Sequence, residues 1–366
     1  MMIFFLVVVA IATAGYLFMQ QPQFGRLPSG ERKQRINASP HFAKGQFQNQ
    51  SPTPALTEGA SMLSVTAAFF FARPRSVTPP MVMPSQRSDL LNLDPAQDVL
   101  VWFGHSSYFM QLDGKKILVD PVLSGSASPV KFTTRSFKGS DVFTVSDLPS
   151  IDLLFITHDH WDHLDHDTVR QLRPRIGQVI TSLGVGAHLE RWGYTREMIT
   201  ELDWYESAQP APRCSVNAVP ARHFSGRGFR RNQTLWSSFV LKTASRKIFI
   251  GGDSGYDKHF KEAGKEYGPF DLAILENGQY NESWAYIHMM PEEVVQACID
   301  LEANLLLPVH WGKFSLSMHA WNEPVKRVAA EASKRGVSLL LPMIGELVYL
   351  DRPVAVHPWW EDGTGR

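Results

Sequence analysis

The stretch THDHWDHLDH, residues 157–166, places four histidines and three aspartates within ten positions. Imidazole and carboxylate groups are the usual protein ligands of zinc and iron. His158 and His160 stand two residues apart, so in extended backbone their side chains point to the same side. Asp162 and His163 follow where the chain is expected to turn into a helix. Two ligand pairs on one turn would serve two metals, and they need further ligands from elsewhere in the chain.

The histidine-rich stretch follows an apolar run, residues 152–157, that is expected to be a buried strand. Open α/β sheets place their functional sites at such strand ends. Three other apolar runs each deliver one ligand-type residue at or just after their end, namely His223, Asp253 and His310. Any one of them alone would be a surface residue near a loop. Their agreement indicates a single site.

The sequence from Leu100 onward alternates short apolar runs with helical patterns, which predicts an α/β fold. The runs expected to form strands are residues 115–120, 152–157, 177–181, 237–242, 246–253, 271–278 and 304–310. The stretches expected to form helices are residues 167–172, 291–301 and 323–335. No internal repeat is visible, so a solenoid is not expected.

The composition is that of a globular protein with a sizeable core, with 44% hydrophobic and 20% charged residues among 366. Lys+Arg 36 balances Asp+Glu 36, so no global field favours nucleic acid, and no nucleic-acid partner is expected. A local basic patch remains compatible with this balance. Cys214 and Cys298 are the only cysteines, too few for a thiolate zinc site, and they fit either one disulfide or two thiols.

The N-terminal segment, residues 3–19, is apolar and uncharged, and its length is at the lower limit for a membrane-spanning helix. It is followed by the basic residues Arg26, Arg32, Lys33 and Arg35. By the positive-inside rule this flank predicts a cytoplasmic catalytic domain behind an uncleaved anchor. The alternative is a cleaved signal, because residues 12–14 resemble a cleavage site, and the enzyme would then be periplasmic or exported.

Four segments organise the chain: a hydrophobic anchor or signal (1–20), a linker or arm (21–96), a catalytic domain (97–352) and a C-terminal tail (353–366). The arm is rich in Pro, Ser and Gln and is expected to pack loosely. Within it, residues 62–75 form an apolar stretch too short to span a bilayer. We interpret this stretch as a short helix packed on the domain. The alternative is a helix in the membrane interface, with its rings in lipid and its arginines near headgroups.

The motif HDHWDH resembles the HxHxDH signature of the metallo-β-lactamase superfamily, and the later His, Asp and His follow that family's ligand order. Residues from about 100 to 350 resemble the branch that contains N-acyl-phosphatidylethanolamine-hydrolysing phospholipase D. The resemblance implies an αββα sandwich and two zinc ions. It implies one metal on His158, His160 and His223. It implies a second metal on Asp162, His163 and His310, and Asp253 as the bridge between the two.

Two residues near the motif have open roles. Asp165 either orients a ligand histidine or caps the following helix. His105, in the loop GHSS, is interpreted as structural or as a support for a ligand.

Two zinc ions would lower the pKa of a shared water and supply a nucleophile at neutral pH, with Asp162 and Asp253 at the catalytic centre. Around His223 the chain carries the arginines Arg222, Arg227, Arg230 and Arg231. Arginine is suited to phosphate, so Arg227 and Arg230 are predicted to bind substrate, although a solvated basic loop is the alternative.

The resemblance also implies that His288 contacts the phosphate or donates a proton to the leaving group; the alternative is a helix cap. Tyr280 is expected to line the same pocket. The predicted function is a phospholipase D-type phosphodiesterase acting on N-acyl phosphatidylethanolamine-like lipids, with a membrane and an anionic lipid as partners. The alternatives are a lactonase or another hydrolase of this fold, and a non-catalytic membrane-tethered metal-binding protein. No pattern in the sequence indicates an oligomeric state.

Overall fold

The computed structural model of the protein describes residues 1–352 and 357–361. Its helices are α1 (Met2–Met19), α2 (Gly30–Ala38), α3 (Met62–Phe71), α4 (His166–Leu172), α5 (Gly186–Arg191), α6 (His259–Tyr267), α7 (Pro291–Asp300) and α8 (Glu323–Arg335). Its first strands are β1 (Phe42–Ala43), β2 (Gln46–Phe47), β3 (Val99–Trp102), β4 (Tyr108–Leu112), β5 (Lys115–Val119), β6 (Ile151–Ile156), β7 (Ile176–Ser182) and β8 (Ile199–Leu202). The remaining strands are β9 (Ser207–Ala211), β10 (Cys214–Val219), β11 (Ser238–Lys242), β12 (Lys247–Ile250), β13 (Leu272–Glu276), β14 (Leu306–Val309) and β15 (Leu347–Tyr349).

Two large sheets carry the fold. One has the strand order β15-β3-β4-β5-β6-β7-β8 and the other β14-β13-β12-β11-β10-β9, while β1 and β2 pair as a separate ribbon. Strands β5 to β8 run parallel to one another, as do β12 to β14. Each parallel group is joined to an antiparallel group within its own sheet.

The alternation of side chains along the strands separates three cores. Leu153 and Phe155 of β6 lie in the core between the two sheets, whereas Leu154 and Ile156 face the layer of α4 and α5. The second sheet repeats this pattern and turns its outer face to α6, α7 and α8. The layers are therefore helix, sheet, sheet, helix, which is the predicted αββα sandwich.

The predicted elements of the catalytic domain are confirmed. Each of the seven expected strands and three expected helices is present, although β12 ends at Ile250 rather than Asp253. The strand stops there because Gly252 adopts a φ of 60°, which turns the chain before the aspartate. Of the predicted tail, residues 353–356 and 362–366 lie outside the described residues, while Trp359 and Trp360 pack into the core between the sheets.

The N-terminal arm is packed more firmly than its composition predicts. Ile36 of α2 and Phe47 of β2 are fully buried in a cluster with Trp204 and Trp236 of the catalytic domain. Arg32 is also buried, and its guanidinium pairs with two carboxylates, at 2.7 Å from Glu190 and 2.6 Å from Glu201. The arm therefore belongs to the folded unit.

Other basic residues behind the apolar segment are ion-paired in the same way. Arg26 lies 3.3 Å from Glu190, and Arg35 pairs with Glu206. Because acidic residues of the domain neutralise these arginines, they have a structural role independent of membrane orientation. The predicted cytoplasmic placement relied on their charge.

Helix α1 is the one helix among the described residues that is long and apolar enough to cross a membrane, and none of it is buried. It stands near the catalytic domain, because the ring of Phe18 contacts Phe24, whose ring in turn contacts Trp161 of the histidine-rich stretch. Helix α3 is likewise without a buried residue. Val65, Ala68 and Phe69 are nevertheless half-buried, so α3 packs on the domain along one side, as expected, and is exposed along the other.

We expect Ile36→Ala to lower the free energy of unfolding by about 2–5 kcal/mol, because it opens a cavity in a fully packed cluster. Urea denaturation of the full chain measures this. Leu27→Ala, at an exposed position of the same arm, is the matched control and should change stability by no more than about 0.5 kcal/mol. Equal, small effects of both changes would contradict the integration of the arm.

Candidate metal centre

The predicted ligands meet because strand direction brings several strand ends to one edge of the sandwich. Strands β12, β13 and β14 are parallel, so Asp253, Glu276 and His310 emerge at the same edge. Strand β10 points the same way, because two antiparallel pairings separate it from β12, and it leads to His223. The other sheet supplies His158 from the end of β6.

The first group of ligand atoms comes from His158, His160, His223 and Asp253. His158 Nε2 and His223 Nε2 lie 2.9 and 3.1 Å from His160 Nδ1. The carboxylate of Asp253 lies 3.8 Å from His158 Nε2 and 3.7 Å from His223 Nε2. Three imidazole nitrogens and one carboxylate oxygen thus surround a single point.

The second group comes from Asp162, His163, His310 and His105. Asp162 Oδ2 lies 3.2 Å from His310 Nε2 and 3.7 Å from His163 Nε2. Asp253 joins this group as well, at 3.1 Å from His163 Nε2 and 3.3 Å from His310 Nε2. Its carboxylate therefore stands between both groups, which is where the sequence predicts the bridging ligand.

The donor set fits divalent metal ions. Asp253 Oδ1 is buried and is among the described side-chain atoms without a hydrogen-bond partner. Such an oxygen is costly to bury, and a cation would supply the missing partner. The nitrogen spacings in the first group are close to the value of about 3.3 Å expected between two ligands of a tetrahedral zinc with Zn–N of about 2.0–2.1 Å.

Outer polar groups hold the ligand rings in place through the ring nitrogens that face away from the centre. His163 Nδ1 donates to Asp120 at 2.8 Å, and Asp120 also accepts from Thr157 at 2.6 Å. His223 Nδ1 donates to the carbonyl of Ile287 at 2.9 Å. Such contacts fix the tautomer and leave Nε2 as the coordinating atom.

Glu276 is a second outer carboxylate, and it links His310 to His288. Its Oε2 lies 3.4 Å from His310 Nδ1 and 3.3 Å from His288 Nδ1, while Oε1 accepts from the backbone N–H of Met289 at 2.6 Å. One fully buried side chain thus orients a predicted ligand and the predicted proton donor together. A ligand atom of His288 also lies within 4.8 Å of ligand atoms of Asp253 and His310.

Burial keeps the histidines of the first group neutral. It lowers the pKa of His160 to about 4 and holds the pKa values of His158 and His223 well below the usual value. A neutral imidazole presents the lone pair that a metal ion requires.

For His163 and His310 of the second group, carboxylates reverse this effect. Burial alone would lower the pKa of His163 and His310, but Asp253 and Asp162 outweigh it. They raise the pKa of His163 well above its usual value and that of His310 to about 10. Any metal ion bound here therefore competes with protons for these nitrogens.

His105 supports this group at the cost of backbone strain. Its Nε2 lies 2.9 Å from Asp162 Oδ2, and its backbone N–H and C=O bond to the residues around His310. The residue has a φ of 52°, which is uncommon for a side chain other than glycine. The fold thus holds His105 firmly beside Asp162, in the supporting position that the sequence predicted for it.

The two groups open into a cavity of about 500 Å³. Its polar lining includes His160, Asp162, His223, Arg231, Asp253, His288 and His310. Its apolar lining includes Leu56, Met62, Val65, Trp284, Ile287 and Leu316. A second cavity of about 590 Å³, around Asp98 and Arg246, contains no predicted site residue. The first cavity is therefore the candidate substrate site.

The structure does not bring all predicted substrate contacts to this cavity. Arg227 is buried, and its guanidinium donates to the carbonyls of Asp159 and Leu164 and stacks on Trp161, which braces the ligand loop. Arg230 is exposed and is not part of the cavity wall, which instead contains the neighbouring Arg231.

Tyr280 also lies apart from the cavity wall. It is buried, and its hydroxyl donates to Glu323 at 2.8 Å. Its neighbour Gln279 lines the cavity in its place. Asp165 caps α4, because its side chain accepts hydrogen bonds from Asp167 N and Thr168 Oγ1. Of its two predicted roles, the structure therefore shows the helix cap.

The arm contributes a residue that sequence patterns did not reveal. Asn49 accepts a hydrogen bond from His223 N at 3.0 Å and donates to His223 O at 2.7 Å. Trp236 Nε1 also donates to Asn49, at 3.1 Å. Asn49 therefore fixes the backbone of a predicted ligand from the N-terminal side of the chain. Asp120 could have been recognised as a site residue because it is the last residue of a predicted strand, whereas no sequence pattern marks Asn49.

Comparison with known proteins agrees with this geometry. Residues 115–311 match the family described as a Beta-lactamase superfamily domain. An uncharacterised protein of Mycobacterium tuberculosis is 39% identical over 326 residues, 88% of this chain and 87% of that protein. N-acyl-phosphatidylethanolamine-hydrolyzing phospholipase D 1 of Caenorhabditis elegans is 31% identical over 228 residues, 59% of this chain and 64% of that protein.

Among solved structures, a metallo hydrolase of the archaeon Ignicoccus hospitalis superposes with a TM-score of 0.53 and 20% identity, over 69% of this chain and 98% of that chain. This likeness shows the fold. The resemblance inferred from the sequence motifs is confirmed by the family match and by the phospholipase relative.

We expect Asp253→Asn to lower the bound metal and to abolish hydrolysis, because the change removes the negative charge between the two ligand groups. Metal analysis of the purified full chain by mass spectrometry measures this. Asp89→Asn, at an exposed aspartate outside the site, is the control. Unchanged metal content in the Asp253 variant would refute its bridging position.

We expect Glu276→Gln to weaken metal affinity by about 10–100-fold, the usual effect of losing a partner behind a ligand. If the glutamine oxygen still accepts from Met289 N, the amide NH₂ group faces Nδ1 of His310 and of His288. Both nitrogens need an acceptor there, which an NH₂ group does not provide. Chelator competition measures the affinity. Glu262→Gln, at an exposed position of α6, is the control, and equal affinities for both variants would show that Glu276 does not orient His310.

Proposed function

The chain belongs to the β-lactamase superfamily and is a metal-dependent hydrolase, and from that premise we propose a dinuclear zinc phosphodiesterase of phospholipase D type. Its proposed substrate is an N-acyl phosphatidylethanolamine or a similar lipid phosphodiester. The observation that carries this proposal is the two-sided cavity. Its wall combines the metal-ligand groups, Arg231 and His288 with a set of other side chains of which the larger part is apolar.

This division of the cavity matches the two ends of a phospholipid. A phosphodiester needs cationic and hydrogen-bonding groups, which Arg231 and His288 supply next to the ligand groups. Acyl chains need an apolar wall, which Leu56, Val65 and Leu316 supply. Metal ions held by the two groups would provide a water-derived nucleophile and would neutralise the charge that develops at phosphorus.

Arg231 is the arginine that we place on the phosphate. It is exposed, lines the cavity, and lies over the ring of Phe224 at 5.0 Å, which holds its guanidinium beside the ligand His223. The guanidinium of Arg227, in contrast, donates its hydrogen bonds to backbone carbonyls. Within this loop the proposed substrate contact therefore moves from Arg227 and Arg230 to Arg231.

His288 is the group that we propose as the acid for the leaving alcohol. Glu276 accepts from its Nδ1 side, which leaves Nε2 as the free ring nitrogen. The ring stacks beside the ligand His310 with centroids 5.2 Å apart, so a doubly protonated ring would donate its Nε2 proton to the leaving-group oxygen of a phosphodiester held at the ligand groups and would keep the Nδ1 proton on Glu276. Asp162 and Asp253 serve the reaction by holding the metal ions.

We place this enzyme at a membrane, tethered by α1. Support for the tether comes from the length and apolar surface of α1. Lipid phosphodiesters reside in membranes, so a tethered enzyme meets its substrate where that substrate is concentrated.

We expect His288→Ala to lower the turnover of an N-acyl phosphatidylethanolamine by about 10²–10⁴-fold, the usual contribution of a positioned acid, without loss of metal. The loss should be far smaller for bis(p-nitrophenyl) phosphate, because its leaving group departs without a proton. His166→Ala, at a histidine outside both ligand groups, is the control.

Reaction in ¹⁸O-water tests the class of chemistry in the same assay. Attack at phosphorus places the label in the phosphate product, whereas label in the alcohol would refute the phosphodiesterase proposal. Turnover of lactones alone would favour the lactonase alternative, and bound metal without any turnover would favour a metal-binding protein.

A further inference from the structure

Helix α3 presents an apolar surface that the rest of the described chain leaves uncovered. Leu63 is 81% exposed, Phe70 73% and Phe71 90%, although the helix contains no charged residue. Exposed apolar residues that are contiguous in this way mark an interaction surface rather than a packing face. The same segment was too short to cross a bilayer.

The position of α3 is set by contacts at both of its ends. Before the helix, Thr57 bonds to the backbone of Glu282 and Ser283 at 2.7 and 2.9 Å. After it, Arg73 donates to the carbonyl and the hydroxyl of Ser315, both at 2.7 Å. The helix is therefore held in place while its apolar face stays open.

These anchoring contacts place α3 at the mouth of the metal-site cavity. Met62 and Val65 of the helix line that cavity, as do Trp284 and Leu316 beside the two anchoring loops. A substrate that enters the cavity along this wall passes α3. One side of α3 therefore lines the cavity, and the exposed apolar residues of the same helix adjoin that side.

The end of α1 lies close to the loops that carry the metal-ligand residues. Phe24 connects the ring of Phe18 to Trp161 in the ligand loop, and the side chain of Met19 occupies the space beside Gly228. The next residue, Phe229, is 92% exposed. A helix long enough to cross a membrane therefore ends beside the loop that supplies Arg231 to the cavity.

A lipid bilayer fits this surface better than a protein partner. Exposed Arg75 follows the aromatic and aliphatic side chains of α3, and exposed Arg230 and Arg231 adjoin Phe229. Apolar rings with arginines at their edge suit acyl chains below a layer of phosphate headgroups. The bilayer that α1 would enter also lies beside the loop of Phe229, because Met19 at the end of α1 packs against Gly228.

We propose that α3, together with Phe229, forms a membrane-docking surface that sets the mouth of the metal-site cavity against the bilayer. A lipid then enters the cavity from the membrane, with its phosphate leading to Arg231 and its acyl chains remaining along α3. Docking itself depends only on the surface. The entry of a lipid substrate rests on the proposed function.

Fluorescence depth measurement on the full chain in phosphatidylcholine–phosphatidylglycerol vesicles tests the docking. A nitrobenzoxadiazole label on Phe70→Cys should shift to the blue and be quenched by lipids with a nitroxide near the headgroup. A label on Leu91→Cys, an exposed apolar position outside α3, should not be quenched. The native Cys214 and Cys298 are buried and should not react.

Two results would overturn the docking surface. One is a label at position 70 that water-soluble iodide quenches equally with and without vesicles. The other is a label shielded from iodide but not quenched by nitroxide lipids, which would show that protein, such as a second copy of the chain, covers α3.

Activity supplies a second test with matched variants. Leu63→Gln/Phe70→Gln should lower the hydrolysis of N-acyl phosphatidylethanolamine in vesicles by about tenfold, since polar side chains weaken interfacial binding. It should leave the hydrolysis of soluble bis(p-nitrophenyl) phosphate unchanged. Leu91→Gln/Phe132→Gln, which alters two exposed apolar residues elsewhere, should affect neither rate.

Equal loss on both substrates, or no loss on vesicles, would contradict lipid entry along α3. If the wild-type protein hydrolyses neither substrate, the proposed function fails, and the fluorescence result still decides whether α3 docks on membranes.

Discussion

A buried carboxylate between two clusters of imidazoles is the constraint on which this structure depends. Asp253 contacts ligand nitrogens of both groups, and His163 and His310 hold the pKa of its carboxyl well below the usual value despite burial. A charge in such a place is tolerated only when partners surround it. The neighbouring histidines supply part of that compensation, and a bound cation would complete it at Oδ1.

Further hydrogen bonds outside the two ligand groups hold these histidines in position. Asp120 and Glu276 bind the outer nitrogens of His163 and His310, the carbonyl of Ile287 binds His223, and each of these groups is itself fixed by backbone contacts. The two sheets make this possible because their parallel strands end at one edge. A site built on strand ends inherits the rigidity of the core beneath it.

The N-terminal arm distinguishes this chain from a bare αββα sandwich. It places Asn49 on the backbone of His223, adds Leu56, Met62 and Val65 to the cavity wall, and presents α3 beside the entrance. The metal-ligand groups determine what bond chemistry is available, whereas the arm shapes what can approach them. In our proposal, substrate selection and membrane contact therefore depend largely on a segment outside the 115–311 family match.

The sequence by itself determined the elements and the ligand-type residues. Hydrophobic periodicity predicted seven strands and three helices, because periodicity is a local pattern. The HxHxDH motif and the order of the later His, Asp and His predicted which side chains meet. The tertiary structure decided which neighbours support them. Glu276 and Asn49 act through contacts 34 and 174 positions away along the chain, which no spacing rule encodes.

Burial likewise could be read only from the folded chain. Arg227 and Arg231 are four residues apart in one basic loop, yet one is buried under the ligand loop and the other faces the cavity. Helix α3 has the composition of a core helix and is left exposed. Composition states what a side chain prefers, but whether that preference is met depends on which distant segments pack against it.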